Sequence, residues 1–309
     1  MKLPNCIIGG TGRAGTTSLF RYLSDHRDVC PASVKETQFF IQYVEDPEQN
    51  LPVYESYFSH CSDEVPIRME ATPHYLQWAE KVAPYMSKII PDVKLIFILR
   101  NPVDRMKTLY KVRANEGKES SFQNFVQNRL SLYHKRLAEG NVPPPDTIQS
   151  GFYATFLRQY LRYFENNQLL VLFFDDFQRH PRDSVKKICD FLGLDESFYS
   201  DYDFSIENKS RNVRLKRVHS WTKTLVAQNE KVLNCFPRLR KTLRDIYLSL
   251  NESPSQDVVF DDATINRLTD FYAEANQNLC ELLGEQGYCV ADLPGWLKSE
   301  NMQPTLENS

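Results

Sequence analysis

The stretch IIGGTGRAGTTSL, residues 7–19, decides how the rest of the sequence is interpreted. A short apolar run leads into a glycine-rich turn, and the hydroxyl residues Thr16, Thr17 and Ser18 then open a helical pattern. Backbone N–H groups at a helix N-terminus bind anions, and glycines let the chain approach a bound group closely. The stretch therefore predicts a strand, a phosphate-binding loop and a helix, in that order.

Two known phosphate loops share part of this spacing. Gly10 and Gly15 match a Walker A loop, but Thr16 replaces the lysine that follows its last glycine. Gly10, Gly12 and Gly15 also match the G-x-G-x-x-G dinucleotide fingerprint, although no acidic residue clearly ends a second strand. Arg13 puts a cation inside the loop, where its side chain can fold over a group shorter than a triphosphate. A strand–helix turn without a ligand is the remaining interpretation.

Length and composition are those of an ordinary globular chain. The 309 residues are 41% hydrophobic and 25% charged, and the formal net charge is −3. This charge gives no global attraction for nucleic acid or an anionic membrane, and no apolar run approaches the roughly 20 residues that span a bilayer. Seven scattered cysteines without C-x-x-C spacing favour free thiols over a disulfide framework or a zinc site. We expect a cytoplasmic enzyme without nucleic-acid or membrane partners.

Hydrophobic periodicity predicts the fold class. Short apolar runs without polar alternation indicate buried parallel strands at 6–10, 65–71, 94–100 and 168–176. Helical spacing of apolar residues recurs over 19–23, 152–164, 185–192 and 265–282. Alternating strands and helices predict an α/β protein, a three-layer α/β/α sandwich around a parallel sheet.

The domain organisation is expected to be simple. We assign residues 1–300 to a single domain and 301–309 to a polar tail. Residues 114–150, which include the stiff NVPPPD loop (141–146), have no strand pattern. We interpret them as an excursion from the sheet that could lie over the active site.

A second anion site is expected in LRNPVDRMKTLY, residues 99–110. Arg100 leaves a strand at its carboxyl end, where ligands of open α/β sheets bind. Thr108 follows on the next helix, so that a guanidinium fork and a hydroxyl can hold one phosphate. The alternative is a structural ion pair of Arg100 or Arg105 with Asp104. Two sites on neighbouring strand ends predict a nucleotide with one phosphate group at the 5′ side and another on the ribose.

This combination resembles the sulfotransferases that use 3′-phosphoadenosine 5′-phosphosulfate (PAPS). Residues 10–18 are similar to their P-loop-like 5′-phosphosulfate loop, and RNPVDRMKTLY is similar to their 3′-phosphate motif R-[ND]-P-x-x-R-x-x-S-x-Y. The resemblance is nearest to the heparan-sulfate N- and O-sulfotransferases and bacterial relatives, and it extends to VKETQFF (34–40), MEATPHYL (69–76), GFYATFLRQYL (151–161), LVLFFDDFQRHP (170–181) and GYCVADLPGWL (287–297).

The resemblance implies a sulfotransferase that moves the sulfuryl group of PAPS to an acceptor and releases PAP. Glu36 takes the position of the catalytic base, and Arg13 that of the cation that stabilises the leaving phosphate. The implied cofactor-binding residues are Arg13, Ala14, Gly15, Thr16, Thr17, Ser18, Arg100, Thr108, Tyr153, Lys209 and Arg211. The second-rank acceptor contacts are Gln38, Glu70 and His74. No metal is expected, because arginines and N–H groups supply the positive charge.

Structural interpretations stand beside several of these roles. Glu36 could be a surface carboxylate paired with Lys35, Tyr153 a core residue, and His74 a capping residue. The basic run 208–217 could be a solvated face.

The acceptor is defined least by the sequence. In the family, the glutamate at the position of Glu70 is followed by lysine, but Ala71 follows it here. This difference removes a cation expected near a polyanionic acceptor. We expect the hydroxyl or amine of a carbohydrate or small molecule. A P-loop kinase or other NTPase, a non-catalytic nucleotide-binding protein and a nicotinamide-binding protein are the alternatives, and the oligomeric state is not predicted.

Overall fold

The computed structural model describes residues 1–115, 117–119, 121–139, 148–204, 212–213, 252–253 and 258–298. Its main strands are β1 (Cys6–Gly10), β2 (Val29–Pro31), β3 (Ile67–Ala71), β4 (Lys94–Leu99) and β5 (Leu169–Phe173). All of these pair in parallel, in the order β2–β3–β1–β4–β5. A separate antiparallel pair consists of β6 (Asn212–Val213) and β7 (Glu252–Ser253).

Helices follow or connect the strands along the chain. They are α1 (Thr16–Ser24), α2 (Phe39–Gln42), α3 (Leu51–Ser56), α4 (Ala79–Ile89), α5 (Pro102–Asn115), α6 (Phe122–Ala138), α7 (Tyr153–Tyr160), α8 (Phe174–Arg179), α9 (Pro181–Leu192) and α10 (Asp262–Glu285). Local chemistry sets several ends: Asp261 caps α10 by accepting from the Thr264 N–H, and Gly193 stops α9 with a φ of 71°.

The sheet is buried on both faces, as the unbroken apolar strands predict. Ile7 and Phe97 belong to one apolar cluster, whereas Ile8 and Ile98 belong to another, because successive strand residues point to opposite faces. Helices α4, α7 and α10 contribute to the first cluster, and α1, α8 and α9 to the second. The predicted three-layer α/β/α arrangement is confirmed.

In its described residues, the predicted excursion at 114–150 contains helix α6 and no strand, in agreement with the missing strand pattern. Helix α6 packs with α5 and α10 in a third apolar cluster, which includes Met106, Phe125 and Tyr272. Ser121 caps α6 by accepting from the Asn124 N–H. The NVPPPD loop lies outside the described residues.

Two strand predictions need correction. The run at 168–176 ends as a strand at Phe173, and its acidic pair lies in α8. Strand β2 is not predicted from its sequence; it has three residues and, within the described residues, pairs with β3 alone at the sheet edge. Edge strands are short and tolerate proline, so Pro31 is compatible with this position although it weakens the strand pattern.

The expectation of free thiols is wrong for two cysteines. Cys30 on β2 forms a disulfide with Cys61, 31 residues away, with a Cα–Cα distance of 5.8 Å. The fold brings the edge strand against the segment after α3. The spacing of the two cysteines in the sequence does not predict that they pair. Among the described cysteines, the free ones are Cys6, Cys189, Cys280 and Cys289. Within the described ranges, no helix is both long and apolar enough to cross a bilayer.

Candidate functional site

The phosphate loop connects β1 to α1 at the carboxyl edge of the sheet. At Gly10, an added Cβ would lie 2.5 Å from the Cβ of Leu76, so a larger residue does not fit. Gly15, next to α1, has a φ of 80°, and a Cβ there would lie 3.0 Å from the ring of Phe177. The two glycines let the loop turn sharply against the core.

The N-terminus of α1 offers backbone donors to an anion. Within the described residues, no side chain caps this helix and its first turn holds no acidic residue. Ala14, Thr16 and Ser18 are buried, and Thr17 is half-buried. The first N–H groups of any helix lack partners within it, and the helix dipole favours negative charge there. This end of α1 can therefore hold a phosphate or sulfate group.

Arg13 lies in the same loop with an exposed side chain and a φ of 71°. Its carbonyl oxygen accepts a hydrogen bond of 2.8 Å from Nη1 of Arg100. The structure thus brings the loop cation and the strand-end arginine together through the backbone, while the Arg13 side chain stays accessible.

Arg100 follows β4 and is supported from two sides. Its guanidinium lies over the ring of Phe174, 4.5 Å from the centroid, and its carbonyl oxygen accepts from the hydroxyl of Tyr153 at 2.8 Å. Burial lowers the pKa of Arg100, but a guanidinium stays charged at neutral pH. Tyr153 is fully buried and so supports Arg100 from behind.

Thr108 lies further along α5, and its hydroxyl donates to the carbonyl oxygen of Asp104 at 2.9 Å. The Asp104 carboxylate pairs with Lys107 at 3.1 Å, and no ion pair between Asp104 and Arg100 occurs in the described part of the chain. Arg105, which the sequence analysis did not select, is only 6% exposed, and its Nε and Nη2 find no hydrogen-bond partner in this structure. The expected 3′ site therefore has a buried positive charge behind it.

The segment around Glu36 lies at the end of β3. The Glu36 N–H donates to the carbonyl oxygen of Ala71 at 3.0 Å, and its carboxylate lies 3.0 Å from Nζ of Lys35. Glu36 and Gln38 both have left-handed backbone, with φ values of 65° and 52°. Since β3 pairs with β1, Glu36 shares the sheet edge with the phosphate loop.

Beneath this segment lies the buried carboxylate of Glu70, at 0% exposure. It accepts hydrogen bonds from the hydroxyls of Thr37 and Tyr54, the latter at 2.9 Å. Burial raises the pKa of Glu70 to about 7, although bonds from the surrounding hydroxyls oppose the shift. The expectation that Glu70 contacts an acceptor does not fit its full burial.

The other acceptor candidates lie nearer the surface. Gln38 is half-buried and its N–H donates to Oγ1 of Thr72 at 3.2 Å, whereas His74 is exposed. Lys209 and Arg211 lie outside the described residues. Phe174, Arg105 and Thr37 are not among the site residues predicted from the sequence, although each lies in a motif of the resemblance (170–181, 99–110 and 34–40). Thr37 lies between the predicted residues Glu36 and Gln38, and this neighbourhood is the signal that could have identified it.

Comparison with known proteins identifies the family and the fold. A family model described as "Sulfotransferase domain" matches residues 3–235. The crystal structure of a sulfotransferase from Alicyclobacillus acidocaldarius superposes with a TM-score of 0.64 at 24% identity, and covers 96% of this chain and 100% of that chain. That protein has the same fold.

Two human proteins are similar in sequence. Bifunctional heparan sulfate N-deacetylase/N-sulfotransferase 2 is 24% identical over 322 residues, which cover 99% of this chain and 32% of the relative. Heparan sulfate glucosamine 3-O-sulfotransferase 6 is 31% identical over 208 residues, which cover 64% of this chain and 56% of the relative. The chain thus spans about a third of the first relative and about half of the second.

Proposed function

The chain belongs to the sulfotransferase domain family, and from this premise we propose that it transfers the sulfuryl group of PAPS to a hydroxyl or amine. The observation that carries the proposal is the 2.8 Å hydrogen bond from Arg100 to the Arg13 carbonyl. It joins the two proposed anion-binding positions, which follow the adjacent strands β1 and β4. One bisphosphorylated adenosine would use both positions, whereas a nucleotide with a single phosphate group would use only one.

At the 5′ end, the N–H groups of α1 and the hydroxyls of Thr16, Thr17 and Ser18 would hold the phosphosulfate. Arg13 would fold over the oxygen between sulfur and phosphorus and stabilise the charge that grows on the departing phosphate. At the other end, Arg100 and Thr108 would bind the 3′-phosphate, with Tyr153 and Phe174 holding Arg100 in place. Lys209 and Arg211 remain proposed contacts to the phosphates.

Glu36 would act as the general base. An acceptor oxygen or nitrogen attacks sulfur in line, the bond from sulfur to the bridging oxygen breaks, and the acceptor proton passes to the Glu36 carboxylate. Support comes from its accessible carboxylate at the carboxyl edge of the sheet, beside the strand that leads into the phosphate loop. The donors of the site supply the positive charge, so we propose turnover without a metal ion.

A carbohydrate or small molecule is the proposed acceptor class. The names of the two human relatives refer to heparan sulfate and glucosamine, which supports a sugar hydroxyl or amine. Ala71 is fully buried where the family pattern has lysine, so that cation is missing beside Glu36. This difference favours an acceptor with less negative charge than heparan sulfate.

The test begins with calorimetry of PAP, AMP and ATP binding to the full chain. We expect PAP to bind at least tenfold more tightly than AMP, because only PAP occupies both anion positions. Transfer of ³⁵S from labelled PAPS is then measured against p-nitrophenol, glucosamine-containing oligosaccharides and a metabolite extract, with and without EDTA. Equal affinities for PAP and AMP, or magnesium-dependent ATP hydrolysis without sulfate transfer, would reject the proposal.

A further inference from the structure

The segment that carries the proposed base is held in an unusual conformation. Glu36 and Gln38 have φ values of 65° and 52°, a region in which residues other than glycine are disfavoured. Such backbone persists where the surrounding contacts determine it. The contacts that fix this segment therefore decide where the carboxylate of Glu36 lies.

Those contacts come from the end of β3 and the turn that follows it. The N–H groups of Gln38 and Phe40 donate to the hydroxyls of Thr72 and Tyr75, at 3.2 Å and 3.3 Å. The side chain of Thr37, between the two left-handed residues, points inward and donates to the Glu70 carboxylate. Thr37 is only 4% exposed, so water cannot easily replace the Glu70 carboxylate as the hydrogen-bond partner of its hydroxyl.

We propose that Glu70 is a positioning residue, which holds Thr37 and through it the backbone of Glu36, and this inference rests on the proposed function. Glu70 is fully buried and has no access to an acceptor or to the donor nucleotide. Burial of a carboxylate costs free energy unless hydrogen bonds satisfy it. The role of Glu70 therefore lies in the groups that it binds. Among its described partners, Thr37 is the one in the base segment, 33 residues away in the chain.

A second partner of Glu70 provides the matched control. The Tyr54 hydroxyl also donates to Glu70, at 2.9 Å, but Tyr54 belongs to α3. Its ring stacks on Phe39 with a centroid distance of 4.1 Å, so Tyr54→Phe removes the hydroxyl and keeps the stack. Both Tyr54→Phe and Thr37→Val take one hydrogen bond from the same carboxylate, but only Thr37→Val detaches the base segment. Thr37→Val also removes the 3.4 Å hydrogen bond that Oγ1 of Thr37 accepts from the Phe39 N–H.

The experiment compares Thr37→Val, Thr37→Ser, Tyr54→Phe and Glu70→Gln with the unaltered chain at pH 8. We expect Thr37→Val to lower the rate of PAP release from PAPS at least tenfold, with the Kd for PAP within twofold of the original. Glu70→Gln keeps one oxygen that can accept from a single hydroxyl, so it should lower the rate by a smaller factor. Thr37→Ser restores the hydroxyl and should keep the original rate within about threefold. Tyr54→Phe should do the same. If Glu70 had a purely structural role, the rate of PAP release would fall in all variants in proportion to their loss of stability.

Hydrogen exchange supplies a readout that needs no acceptor. In Thr37→Val we expect the amides of residues 38–40 to exchange at least tenfold faster, and in Glu70→Gln to a smaller extent, while those of β4 keep their protection. Unchanged exchange in this segment, or equal turnover of Thr37→Val and Thr37→Ser, would overturn the inference. If the unaltered chain itself transfers no sulfate, the proposed function fails, and the exchange data still decide whether Glu70 positions the segment.

Discussion

Nη1 of Arg100 donates a hydrogen bond of 2.8 Å to the carbonyl oxygen of Arg13, which ties the end of β4 to the phosphate loop. Because the bond uses the backbone of Arg13, it leaves that side chain accessible, with its own positive charge. Arg100 thereby holds the shape of the loop, and in the proposed function it also presents its guanidinium to a second anion. The two ends of the proposed nucleotide site are mechanically coupled.

The first prediction concerns Arg100. In Arg100→Ala we expect PAP affinity to fall about 10- to 100-fold, because a charge-assisted bidentate contact is lost together with the brace on the loop. AMP affinity should fall less, since AMP lacks the 3′-phosphate. Titration calorimetry of both nucleotides measures the difference.

The matched control for Arg100 is Arg162→Ala, which removes an exposed guanidinium that, in the described part of the chain, donates to the side chain of Gln159. Its affinity for PAP should stay within twofold of the original. An equal loss of PAP and AMP affinity in Arg100→Ala would show that Arg100 supports the loop without contacting a second phosphate group.

The second prediction concerns the proposed base. Glu36→Gln keeps the size of the side chain, but an amide cannot take the proton that the attacking hydroxyl or amine gives up. Turnover should therefore fall about 100-fold or more, as is usual for loss of a general base. The Kd for PAP should change little, because Glu36 is not placed among the phosphate contacts. Lys35→Ala, which removes the ion-pair partner at 3.0 Å, is the control and should keep most of the rate. Unaltered turnover of Glu36→Gln would exclude the assigned role.

Motif reasoning selected positions that the structure marks independently. Among the described residues, the non-glycine positions with positive φ are Arg13, Glu36 and Gln38, and all three were candidates from the sequence. The strands and the α/β class were also predictable, because an apolar run without alternation has few alternatives to a doubly covered strand. Local sequence patterns carry this information.

Contacts between distant segments were not predictable in this way. The hydrogen bond from Thr37 to Glu70 joins residues 33 positions apart, and the Cys30–Cys61 disulfide joins residues 31 apart. Neither pair has a spacing rule, since both depend on how β2, α3 and β3 pack. For the same reason Glu70 was interpreted as an acceptor contact, although the fold buries it completely.

The third prediction concerns the disulfide. Replacing Cys30 and Cys61 by serine should lower the free energy of unfolding by about 3.7 kcal/mol, the loss expected from the unfolded-chain entropy of a loop closed over 31 residues. Urea unfolding under non-reducing conditions measures it. Cys289→Ser, at an exposed free cysteine, is the control and should change the free energy by less than about 0.5 kcal/mol. Equal stabilities of the double variant and the unaltered chain would contradict the crosslink.

The last prediction concerns the pH dependence of stability at Glu70. Burial raises the pKa of this carboxyl from 4.5 to about 7 in the folded chain, so the folded state holds the proton more tightly than the unfolded state. Its contribution is then fully present below pH 4.5 and is lost as the pH rises through 7. The hydroxyls around it belong to Thr37, Thr72, Tyr54 and Tyr75, and burial keeps both tyrosine pKa values well above 10, so they do not titrate in this range.

Glu70→Gln removes this titration and leaves the other ionisable groups in place. Relative to this variant, the unaltered chain should lose about 2 to 3 kcal/mol of unfolding free energy between pH 5 and pH 8.5, since one pKa unit corresponds to about 1.4 kcal/mol. Urea unfolding of both proteins at several pH values gives this difference directly. Parallel stability curves over that range would mean that Glu70 titrates alike in the folded and unfolded chain, and the carboxylate would then not be buried as described.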